Sequence, residues 1–256
     1  KTWCFALLAA HWLLSGDVSL ARGDSRPAAA GTFAIQESEL LEAATFLNAL
    51  SDDPRFIEPW RDSPVRKEWL EKIAASPEVA GAFARWAGVG IQLACLLSAQ
   101  PEETIPGALG ALQRDPRTFL RRIDAGLDEP AYRNIFRRLE EKPEDLASWL
   151  RFLERNDFSG MLRKEFREAR EKSRRDLEAL LSSFDVARFL EHYWRFTGRP
   201  DPVLRIRLLT FSSPLSFQLA GPAIGWSTAI GDRETALWLL SHEFLHKFNP
   251  EPDLLA

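Results

Sequence analysis

Cysteine and histidine are scarce in this 256-residue chain, at 2 and 4 residues, and no charge sign dominates. Cys4 lies in an apolar N-terminal stretch. Once that stretch is removed, Cys95 is the one thiol left, which excludes an internal disulfide. Its setting, Gly90-Ile91-Gln92-Leu93-Ala94-Cys95-Leu96-Leu97, favours the role of a small buried hydrophobe. A net charge of -4 gives no footprint for nucleic acid or an anionic membrane. The pairs Arg121-Arg122, Arg137-Arg138 and Arg174-Arg175 alternate with acids and read as solvated helix faces. Long apolar runs are missing too. Residues 78–98 come closest to a membrane span, but Glu78, Arg85, Gln92 and three glycines point to a central buried helix.

What remains is an ordinary globular composition, 45% hydrophobic and 27% charged, in a chain long enough for a proper core. Its first residues have the form of an export signal. Lys1 is a short positive start, Trp3 to Leu14 is apolar, and Ser19-Leu20-Ala21 has the small-x-small pattern of a cleavage site. The alternative is a partly buried N-terminal helix, since Asp17 is unusual so near a cleavage site. No cysteine follows a lipid-attachment pattern, so no stable membrane anchor is expected. The expected order is a signal peptide over 1–21, a linker rich in Ala, Gly, Pro and Arg over 22–36, and a helical region over 37–198.

Within the helical region, Ser63-Pro64, Ser76-Pro77 and Asp115-Pro116 each place a capping residue before a proline at the first helical position. Apolar residues recur at helical spacing in Leu40-Leu41-Ala44-Leu47-Leu50 and in Leu146-Trp149-Leu150-Leu153. The texture changes at Gly198-Arg199-Pro200. Val203 to Leu208 alternates with period two and predicts a half-buried strand, and Ala223 to Ile230 predicts a second. The fold class is therefore α+β, mainly α: helices, two short strands, then one further helix.

That last helix carries His242-Glu243-Phe244-Leu245-His246, an H-E-x-x-H motif. With so few histidines, chance would produce it about once in two hundred such chains. Residues four apart lie one above the other on a helix, so His242 and His246 can both ligate one Zn²⁺ while Glu243 takes a proton from a water at the metal. Asp232 is the expected N-cap, Glu234 lies in the first turn, and Asn249-Pro250 ends the helix. Winding 233–248 at 100° per residue groups Trp238, Leu239, His242, Glu243 and His246 on a cleft side. Leu237, Leu240, Phe244, Leu245 and Phe248 fall on a core side.

Strand, glycine-containing strand and H-E-x-x-H helix together resemble the catalytic core of the zincin metallopeptidases. The string from Ser241 to Pro250 is similar to an uncharacterised exported bacterial family with an H-E-F-x-H-x-F signature. The specific part covers only the last fifty or so residues, so 199–256 is expected to be the start of a zincin-like catalytic domain, truncated at its C-terminus. The resemblance implies His242 and His246 as zinc ligands, Glu243 as general base, and Zn²⁺ as cofactor. It also implies a peptide or protein substrate whose backbone adds as a strand beside Ala223 to Ile230. A third ligand is expected beyond Ala256, as in the gluzincin arrangement, with His192 a weaker candidate. Residues 202–231 contain no Asp or Glu to grip a free α-amine, which favours an endopeptidase over an aminopeptidase. Two other readings stand beside this one: an amidase-like zinc hydrolase, and a non-catalytic helical interaction protein whose zincin-like region is degenerate or structural.

Overall fold

The computed structural model describes residues 32–125, 132–182, 203–212, 216–220, 223–232, 234–236 and 238–239. The architecture is α+β, mainly α. A strand, β1 (Thr32–Glu37), leads into a long helical series, after which the chain returns to the same sheet as β2 (Val203–Leu209), β3 (Ser216–Gln218) and β4 (Ala223–Ser227). The sheet order is β1-β2-β4-β3. The first three of these are mutually parallel, and β3 runs antiparallel along β4 at the edge.

β1 corrects the last five residues, 32–36, of the linker expected over 22–36; residues 22–31 lie outside the described residues. Thr32-Phe-Ala-Ile-Gln-Glu37 has the alternation of a strand, but its partner lies beyond the whole helical region, so nothing local announces it. In register, Ile35 pairs with Ile206 and Ile206 with Ile224, which lines up an apolar row across three strands. The arginines alternating with that row face the helical side, where Arg207 pairs with Glu103 at 2.6 Å.

Helix starts follow the proline signals. α1 (Glu39–Leu50) is capped by Ser38, whose hydroxyl accepts from the Leu41 amide. After the short α2 (Pro54–Ile57), α3 (Pro64–Ala74) and α4 (Pro77–Trp86) begin at their prolines, as do the later α7 (Pro116–Ala125) and α9 (Pro143–Arg155). Proline lacks the N–H that a first turn cannot use, and its fixed φ suits that position.

The segment expected as one central helix is two. α4 and α5 (Gly90–Leu97) meet at 90°. Gly88, at φ +81, occupies the left-handed region between them, where a residue with a Cβ is strained. The break lets Gly90 dock directly on α1, its amide donating to Asn48 Oδ1 at 2.7 Å. Among the described residues no single helix is long and apolar enough to cross a membrane.

α6 (Ile105–Arg114), α8 (Arg133–Glu141), α10 (Phe158–Glu165) and α11 (Arg167–Ser182) complete the helical series. α1 is its axis, buried along nearly its whole length. Phe46 sits among Trp69, Phe158 and Phe211, with ring centroids 4.5 Å from Phe211. Phe211 follows β2, so the end of the sheet is built into the helical core. The opposite face of the sheet carries a second core, in which Ile206, Leu208, Ile224 and Trp226 pack against Leu177 and Leu181 of α11.

Candidate functional site

The candidate site is the helix that follows β4, together with the strands and the helix α11 that cradle its start. β4 ends at the buried Ser227, whose hydroxyl donates to the Ser212 carbonyl at 3.1 Å and accepts from the Ala229 amide at 3.2 Å. A tight turn follows, closed by the Ile230 amide on the Ser227 carbonyl. Asp232 then caps the helix as the sequence predicts. Its Oδ1 accepts the Thr235 amide at 2.7 Å, and its carbonyl accepts from Ala236. The amide hydrogen bond from Thr235 holds the Asp232 carboxyl below the usual carboxylate range.

Glu234 to Ala236 and Trp238 to Leu239 are helical. Their burial divides the face that the helical wheel had grouped together. Leu239 is 4% exposed and joins the sheet core with Ala236, whereas Trp238 stands 48% exposed. Adjacent helical residues diverge by about 100°, so only one of such a pair can meet the apolar floor of Ile206, Ile224 and Trp226. The side that begins with Leu239 therefore starts as a packed side, which corrects its assignment to an open cleft at this first turn.

His242, Glu243 and His246 lie outside the described residues, as do His192, Phe244, Phe248, Leu237 and Leu240, and the signal segment 1–21. Among the described residues no group of three His, Cys, Asp or Glu is placed to hold a metal ion. Cys95 is in no disulfide and is half-buried on α5.

The sheet also reassigns where an extended chain could add. β4 carries β2 on one side and β3 on the other, so its pairing edges are taken. Among the described residues the sheet has two edge strands, β1 on the far side and β3 beside β4. The closeness of β3 to β4 depends on Gly225, where a Cβ would come within 2.7 Å of the Phe217 ring.

A buried charged cluster, which no sequence motif announces, fastens this unit to the helices. Glu42 of α1 is fully buried, and its carboxylate accepts the Thr210 amide at 2.8 Å and the Thr210 hydroxyl at 2.7 Å. Arg170 of α11 approaches the same carboxylate at 4.0 Å and pairs with Glu37, at the end of β1, at 2.9 Å. Arg174 donates to the Ile35 carbonyl and to Glu37, each at 3.0 Å. Burial pushes the Glu42 carboxyl up to about 7, against the pull of Arg170 and of hydrogen bonds from Thr210 and Phe211. The signal for it was present: a single acid inside the apolar run Leu40-Leu41-Glu42-Ala43-Ala44.

Comparison with models of protein families, with curated proteins and with solved structures gave no match.

Proposed function

We propose that the chain is an exported zinc-dependent peptidase that hydrolyses peptide bonds with Glu243 as general base. The observation that carries this reading is the H-E-x-x-H sequence at 242–246, which follows closely on the described helical residues 234–236 and 238–239, whose start Asp232 caps, directly after a sheet with an antiparallel edge strand. His242 and His246, four residues apart in the sequence, are the imidazole donors suited to Zn²⁺, and the reading requires one further protein ligand. Zinc bound there would polarise the scissile carbonyl and make a neighbouring water acidic enough to attack it near neutral pH. Glu243 would take the proton of that water and return it to the leaving amine.

The edge strand supports a polypeptide substrate. Backbone N–H and C=O groups of an extended peptide can pair with a sheet edge whatever the side chains are, and on the β4 side of the sheet β3 rather than β4 presents that edge. The absence of Asp and Glu from residues 202–231 supports internal cleavage over removal of an N-terminal residue. Export belongs to the same proposal and rests on the charged start, apolar run and Ser19-Leu20-Ala21 site.

The experiment is metal analysis of the full-length protein, including the sequence after Ala256 that is expected to supply the third ligand, beside a turnover assay on unstructured protein substrates, for wild type and His246→Ala. The expected result is about one zinc per wild-type chain with hydrolysis, and loss of both in the variant, since removing an imidazole leaves too few protein ligands. Wild-type protein that binds zinc but cleaves nothing would favour the interaction-protein reading with a structural metal. Protein that binds no zinc would overturn the peptidase reading.

A further inference from the structure

Two carboxylates compete for one guanidinium where the two cores meet. Nη2 of Arg170 lies 2.9 Å from Glu37, at the end of β1, and 4.0 Å from the fully buried Glu42 of α1. The first distance is that of a charge-assisted hydrogen bond, and the second is too long for one. The Arg170 side chain is itself 9% exposed, and its Nε–H is buried with no hydrogen-bond partner. A buried donor left unused is costly, so this guanidinium is held short of its full set of bonds. Glu37 does not depend on it alone. That carboxylate is exposed and also takes a hydrogen bond from Arg174 at 3.0 Å. Glu42 has other donors, the Thr210 amide and hydroxyl and the Phe211 amide, but Arg170 is the one charge that acts on it. On the surrounding elements, Glu39 pairs with Arg163, Arg66 with Asp52 and Arg207 with Glu103, and α5, docked on α1, has no charged residue.

We propose that Arg170 is a two-position latch set by a proton on Glu42. With the proton in place, the guanidinium rests on Glu37 and ties α11 to the end of β1, the arrangement seen here. When the proton leaves, the guanidinium closes onto Glu42 and ties α11 to α1, the axis of the helical core. Each position is favoured in its own state. A neutral acid attracts a cation weakly, and the Thr210 hydroxyl at 2.7 Å can turn to accept its proton. An ionised carboxylate out of reach of water is costly to leave unpaired, and a guanidinium already at 4.0 Å with a spare N–H is the partner at hand. Glu37 then keeps Arg174 and its own hydration. Burial pushes the Glu42 carboxyl up to about 7, so the exchange falls near neutral pH. The two positions differ in which core holds α11, the helix that packs on the sheet below the motif helix. The latch is independent of the peptidase reading.

The test follows both partners by nuclear magnetic resonance in the full chain, reading the Glu42 carboxyl carbon and the Arg170 Nε–H across the neutral range. Wild type is expected to show one midpoint, near 7, in both signals, the Arg170 proton moving downfield above it as it gains a carboxylate partner. In Glu42→Gln, nearly isosteric and unable to ionise, the Arg170 signal should stay at its low-pH position throughout. Glu37→Gln, at an exposed site, should free Arg170 for Glu42 and lower the Glu42 midpoint by about one pH unit, the effect of an opposite charge brought closer. Melting curves show that each variant is folded, and wild type with Glu37→Gln decides the matter if Glu42→Gln is not. The proposal is overturned if Glu42 titrates near its ordinary 4.5, or if the Arg170 signal stays flat while Glu42 titrates. It is also overturned if Arg170 shifts in Glu42→Gln as it does in wild type, or if Glu37→Gln leaves the Glu42 midpoint unchanged or raises it.

Discussion

The carboxylate of Glu42 accepts both the amide proton and the hydroxyl proton of Thr210, a residue 168 positions away, at 2.8 and 2.7 Å. This pair joins the central helix of the first core to the end of β2, the strand on which the unit carrying the motif helix is built. Arg170, from α11, closes the cluster from the other side. Three elements far apart in sequence thus meet at one buried charge.

Glu42 should give stability a dependence on pH. Its carboxyl is raised from an ordinary 4.5 to about 7 by burial, so between those values the folded protein holds a proton that the unfolded chain has released. Its contribution is therefore fully present below about 4.5 and is lost as pH rises to about 7, by at most about 3 kcal/mol. Urea unfolding of wild type and Glu42→Gln across pH 4.5–8.5 measures this. The stability of wild type relative to the variant should fall through the window and level off above it. A relative stability that climbs with pH would mean that the donors from Thr210 and Arg170 outweigh burial.

Leu239 and Trp238 should separate sharply. Leu239→Ala removes a buried side chain from the sheet core and should cost about 2–5 kcal/mol. Trp238→Ala, at a half-exposed position, should cost under about 1 kcal/mol. Chemical denaturation of the two variants checks this, and equal losses would show that the motif helix sits in another rotation.

Phe211 joins the helical core from the sheet side, packed against Phe46, Trp60 and Phe166. Phe211→Ala should cost about 3–5 kcal/mol. The loss should appear in a single unfolding transition followed by both tryptophan fluorescence and far-ultraviolet dichroism, because the two parts share this core. A variant in which the sheet region alone melts early would refute that coupling.

Gly225 should tolerate no side chain while Phe217 keeps its place. Gly225→Ala puts a Cβ against the Phe217 ring and should cost about 1–3 kcal/mol by overpacking. Pairing it with Phe217→Leu should recover part of that loss, so the double-mutant cycle should show a favourable coupling. Strictly additive effects would mean that β3 does not pack on β4 through this contact.

On the proposed mechanism, Glu243→Gln in the full-length protein should retain zinc yet lose peptide hydrolysis by about 10²–10⁴-fold, since the amide is nearly isosteric with the acid but cannot accept a proton. Zinc content and single-turnover rates of the two proteins decide it. A Glu243→Gln variant as active as wild type would remove Glu243 from the chemistry.

The sequence alone determined the features whose causes are local. Prolines 64, 77, 116 and 143 begin helices because a missing N–H is harmless only in a first turn. Asp232 caps because a short acid side chain reaches the free amides of the turn beside it. The alternation of Val203 to Leu208 made a strand because one face meets a core and the other meets polar groups. The H-E-x-x-H spacing is likewise readable without a structure, since it depends only on the helical repeat. Tertiary structure decided the rest. Thr32–Glu37 is a strand because β2 supplies its hydrogen bonds from the far side of the helical region. The 78–98 segment breaks at Gly88 because α5 must turn to lay Gly90 against Asn48. Glu42 could be singled out as an acid in an apolar run, but its partners Thr210 and Arg170 are brought to it by the fold. The same holds for Leu239 and Trp238: a helical wheel gives the angle between two side chains, and only the packed sheet determines which of them it buries.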